Sequence, residues 1–91
     1  MERGRRQHVK VTVVRSGGFA GIERRGEADT ATDPVLGELV DRVDLGALRP
    51  PAPGADRFMY EIDVGGRTAV VDEAQLSGPL RQLVDRVLSA A

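Results

Sequence analysis

With 91 residues, no cysteine and a formal net charge of −1, the chain is limited to one small domain without disulfides or thiolate-bound metal. Thirteen basic against fourteen acidic side chains leave no overall field to recruit nucleic acid or an anionic membrane surface. No apolar run approaches the ~20 residues that span a bilayer.

The opening Met1-Glu2-Arg3-Gly4-Arg5-Arg6-Gln7 is basic and polar with no apolar stretch behind it. It reads as a disordered tail over residues 1–7 rather than a secretory signal, so a cytoplasmic protein is expected. The domain proper is expected over 8–91. Val9, Val11 and Val13 alternate with Lys10, Thr12 and Val14, the pattern of a half-buried strand. The step Ser16-Gly17-Gly18 supplies a hairpin turn, and a second strand is expected from Phe19 to Ala28. Its charges, Glu23, Arg24, Arg25 and Glu27, suit a solvent-facing or edge strand, since charge discourages pairing with other chains.

Asp29-Thr30-Ala31-Thr32-Asp33 is a short polar loop, read as an extended small-residue segment. Asp33 is a candidate N-cap with Pro34 in the first helical position. Leu36, Leu39, Val40 and Val43 then form one apolar stripe of a helix that Leu45 to Leu48 ends, with Gly46 as the stop signal. Pro50-Pro51-Ala52-Pro53-Gly54 is a stiff loop that lacks ladder donors.

Phe58, Tyr60, Ile62 and Val64 alternate with Met59, Glu61 and Asp63, Gly65-Gly66 makes a primed two-residue turn, and Thr68 to Val71 returns as the partner strand. Ser77 is the candidate cap of a last helix with Leu80, Leu83, Val84, Val87 and Leu88 on one face. The order ββαββα predicts an α+β two-layer sandwich, a four-stranded antiparallel sheet with two helices on one face.

The residues offer no internal chemistry. His8, the single histidine, lies eight residues from Ser16 along one strand, about 26 Å at ~3.3 Å per residue, too far for a nucleophile and its base. One histidine and no cysteine make a poor metal set, and Asp29 and Asp33 read as turn and cap residues. Gly17-Gly18-Phe19-Ala20-Gly21 is followed by a strand pattern rather than the helix a phosphate cradle needs. Phe19, Phe58 and Tyr60 form no stacking platform for single-stranded nucleic acid. Neither catalysis nor a cofactor is expected. A binding module remains.

The stretch Val13-Val14-Arg15-Ser16-Gly17-Gly18-Phe19-Ala20-Gly21-Ile22 resembles the emfourin family. Weaker likeness comes from the proline-rich loop and aromatic strand at 50–61 and from the closing Leu80 to Leu88 helix, so the similarity spans roughly residues 9–89. The chain departs from the family pattern in the extra residues 1–7 and at Gly37 inside the first helix. What the resemblance implies is a protein inhibitor of a thermolysin-like (M4, protealysin-type) zinc metallopeptidase, acting by reversible occlusion of the substrate cleft. It also implies a monomer when free, whose partner is that peptidase.

Two segments suit the cleft. The loop Asp29, Thr30, Ala31, Thr32, Asp33 offers small residues between rigid elements, and the hairpin Arg15, Ser16, Gly17, Gly18, Phe19 offers an aromatic anchor among glycines. The loop is preferred, and the two are expected at opposite ends of the second strand. The glycine-rich stretch also has a purely structural reading, as turn and core. A different class of function stays open, a non-catalytic adaptor or dimerisation domain that binds a protein by edge-strand pairing.

Overall fold

The computed structural model describes residues 8–17, 23–49 and 58–89. Strands β1 (Lys10–Gly17) and β2 (Arg24–Asp29) precede helix α1 (Pro34–Arg42). Strands β3 (Phe58–Val64) and β4 (Arg67–Asp72) precede helix α2 (Gly78–Ser89). This is the expected ββαββα order. The strands form one antiparallel sheet in the order β2-β1-β3-β4, so the charged second strand does lie at an edge, and β4 is the other edge.

Alternation decides which side chains meet the helices. Val13 stands opposite Gly26 on β2 and Ile62 on β3, and Tyr60 stands opposite Val71 on β4. Val11, Val13, Ile62 and Val71 are fully buried on that face. Against them pack Leu36 and Leu39 of α1 and Leu80, Leu83, Val84, Val87 and Leu88 of α2, in a single core. The opposite sheet face carries Lys10, Thr12, Val14, Arg25, Glu27, Glu61 and Asp63 and, among the described residues, has no helix over it, which explains its polar alternation.

The β3–β4 connection is the expected two-residue turn. Gly65 and Gly66 have φ of 59° and 95°, and Val64 pairs with Arg67 across them. Asp63 fastens this hairpin by accepting from the Gly66 amide at 3.0 Å and the Thr68 hydroxyl at 2.9 Å.

Three local expectations are corrected. Ser16 and Gly17 do not turn the chain: β1 continues through them to pair with Met59 and Phe58 of β3. Helix α1 ends at Arg42, and Leu45–Ala47 is a separate 3-10 turn opened by Asp44, whose carboxylate accepts from the Gly46 amide. Its own cap therefore makes this segment a new element. At α2, Ser77 contributes its carbonyl, which accepts from the Arg81 amide at 3.4 Å, in place of the expected side-chain cap. The basic tail 1–7, the start of the second strand at 19–22 and the proline-rich loop lie outside the described residues.

Both chain ends that border 50–57 are held by one other 3-10 turn, Glu73–Gln75. Gln75 accepts from the Arg49 amide at 3.0 Å and donates to the Arg49 carbonyl at 2.6 Å, while Glu73 accepts from the Phe58 amide at 3.0 Å.

Candidate functional site

Residues 29–33 leave the end of β2 and return into α1 as a tight double turn, which corrects the expectation of an extended segment. The Asp29 carboxylate accepts from the Ala31 amide at 2.8 Å, and the Asp29 carbonyl accepts from the Thr32 amide at 3.1 Å and the Thr32 hydroxyl at 3.2 Å. The Asp33 amide donates to the Thr30 carbonyl at 3.4 Å. Aspartate and threonine side chains compete for nearby backbone groups and favour such turns over extended chain.

Thr30 ties the turn to the sheet. It is buried, its amide donates to the Val9 carbonyl at 3.0 Å, and its hydroxyl accepts from the Val9 amide at 2.9 Å. Asp33 ties it to both helices. Its carboxylate caps α1 by accepting from the Leu36 amide at 3.1 Å and receives the Arg86 guanidinium of α2 at 2.7 Å. The Arg86 hydrogen bond, the largest effect, holds the Asp33 carboxyl below its ordinary range against the opposing effect of burial, with the Leu36 amide lowering it further. Arg86 is correspondingly raised by Asp33.

The amides of Thr30, Ala31, Thr32 and Asp33 are thus all committed internally. The turn offers no free run of N–H groups for pairing with another strand. What it does offer is shape. Ala31, Thr32, Pro34 and Val35 are exposed in near succession, and Val35 retains 49% of its surface, an exposed large apolar side chain.

The hairpin residues fall at the other end of the sheet. Arg15 pairs with Arg24 at the start of β2, whereas Lys10 pairs with Asp29 at its end. Five steps of about 3.3 Å put the two ends roughly 17 Å apart. The Arg15 guanidinium lies 4.6 Å from the centre of the Phe58 ring, a cation–π contact that fixes it against the sheet. Ser16 and Gly17 are paired strand residues there, while Gly18 and Phe19 lie outside the described residues. The structure does not bring the described residues of the two candidate segments, Arg15 to Gly17 and Asp29 to Asp33, together.

Val35 and Arg86 belong to the loop site and were not among the residues selected from the sequence. Val35 had a visible signal, since it is an apolar residue off the Leu36–Leu39–Val40–Val43 stripe. Arg86 had none, because it meets Asp33 only through the packing of α2 beside α1.

Other charged residues are taken up structurally. Arg24 donates to the Leu88 carbonyl at 3.2 Å, in the last turn of α2. Arg25 and Lys10 both pair with Glu27, at 3.0 and 3.4 Å, and hydrogen bonds from Arg25 and then Lys10 lower the Glu27 carboxyl. Among the described residues no group of three or more His, Asp or Glu side chains is placed to hold a metal ion. Among them, too, no helix is long and apolar enough to cross a membrane.

The family model described as Emfourin matches the chain over residues 13–88, well over half of its length. No curated protein and no solved structure matches it.

Proposed function

The chain belongs to the emfourin family of protein inhibitors of metallopeptidases, and from that premise we propose that it inhibits a thermolysin-like (M4, protealysin-type) zinc peptidase by reversible occlusion of the substrate cleft. The observation that carries the cleft assignment is the internal bonding of all four amides of 30–33. A peptidase cleaves a segment that it can draw into extended form across its cleft. A turn whose four amides are already bonded, and which is fastened to Val9 just before β1 and to Arg86 of α2, resists that extension.

The same rigidity favours affinity. A loop already in its bound shape avoids the ~0.5–1.5 kcal/mol that each freshly immobilised side chain costs. The wedge therefore acts by filling the cleft, without ligating the metal. The loop is preferred over the Arg15–Phe19 segment because Arg15, Ser16 and Gly17 are engaged with β3 and Phe58.

The test is steady-state peptide cleavage by a thermolysin-like enzyme titrated with the protein and with Thr32→Arg. Thr32 is exposed, so the variant is expected to fold. The parent protein should slow cleavage in a way that excess substrate relieves, and Thr32→Arg should raise Ki at least about tenfold. Full inhibition by folded Thr32→Arg would eliminate the loop as the occluding segment.

A further inference from the structure

Val35 and Val70 are the exposed large apolar side chains of the described residues, and their settings differ. Val70 sits on the helix-free sheet face opposite Glu61, one apolar group in a charged surface, where single exposed hydrophobes are ordinary. Val35 stands in the first turn of α1, directly after the double turn, in the exposed run Ala31, Thr32, Pro34, Val35. That run carries no charge of its own, and the one carboxylate inside it, Asp33, is occupied by Arg86 and by the Leu36 amide.

Resting on the proposed inhibitor function, we infer that Val35 is the specificity-determining anchor of the interaction and enters an apolar side-chain pocket of the peptidase cleft. The commitment to an apolar pocket follows from what the turn lacks. With its amides bonded internally, the Asp33 carboxylate paired with Arg86 and the Asp29 carboxylate bonded to the Ala31 amide, it has few backbone donors left to exchange with a partner. Its affinity must come from apolar contact and fit. Val35 offers the largest apolar surface there, on a backbone fixed by Pro34 and by the Asp33 cap, so little freedom is lost when it is buried.

This arrangement also separates binding from stability. No acidic residue occupies the first turn of α1, and a carboxylate there interacts favourably with the helix dipole. Val35→Asp therefore leaves the fold intact while placing a charge where the partner is apolar.

The experiment measures Ki of the parent protein, Val35→Asp and Val35→Leu against one thermolysin-like peptidase, with thermal melting of all three. The expected result is an unchanged melting temperature, a rise in Ki of about tenfold or more for Val35→Asp, and Val35→Leu within about threefold of the parent. A smaller rise for Val35→Asp, with the parent still inhibiting, overturns the anchor and leaves the inhibitor function standing. Equal loss in both variants marks a limit on size alone and overturns the apolar-pocket assignment. A parent protein that does not inhibit overturns both.

Discussion

Asp33 joins three elements through one carboxylate: the turn it ends, the α1 amides it caps and the α2 arginine it receives. Because its folded pKa lies below the ordinary value of 3.8, its contribution to stability is fully present above that value. It is lost as pH falls through the depressed folded value, when the carboxyl takes up a proton. Asp33→Asn keeps a competent cap and removes the charge. Its melting temperature should thus lie below that of the parent at neutral pH and converge on it below about pH 4. Thermal melts of both proteins from pH 7 to pH 2 check this, and parallel curves would remove the ion pair from the account. Asp33→Ala, which removes the cap as well, should cost about 1 kcal/mol.

The crossing of α2 over β2 depends on Gly26, which has no side chain to stand between them. A Cβ built there would overlap the Val87 carbonyl oxygen and come within 2.9 Å of the Leu88 Cα, both helix backbone. Arg24 fastens the same crossing by donating to the Leu88 carbonyl. Gly26→Ala has to push the helix away and should cost about 1–3 kcal/mol, with measured loss in chemical denaturation. A variant as stable as the parent would show that the helix shifts freely. This requirement was invisible in the sequence, where Gly26 is a lone glycine among charges and its constraint comes from residues 61 and 62 positions further on. By contrast β3 and α2 were legible, because a strict two-residue alternation and a stripe at 80, 83, 84, 87 and 88 each encode one buried face locally. Residues 29–33 fell between these cases. Their Asp and Thr residues carry turn chemistry in plain view, yet their small size suggested an extended strand. Which Asp29 and Thr32 groups bond locally settles the shape.

Seen whole, the domain has two ends of opposite character, and ionic strength tells them apart. The 29–33 end presents exposed Ala31, Thr32, Pro34 and Val35 beside two aspartates, Asp33 paired with Arg86 and Asp29 bonded to the Ala31 amide, while the other end of β2 brings Arg15 and Arg24 together in register. The molecule as a whole carries a net charge of only −1 and generates little long-range steering of its own. Raising salt from about 0.1 M to 1 M shortens the screening length from ~10 Å to ~3 Å, which suppresses attraction between exposed charges and leaves apolar contact standing. An interface built on the turn and Val35 should therefore keep its association rate constant within about threefold over that range, whereas steered encounters fall steeply. Stopped-flow or surface binding of the protein to an inactive thermolysin-like peptidase reads this directly. A fall of tenfold or more would move the contact to the arginine-bearing end, and the role argued for the 29–33 turn and Val35 would go with it.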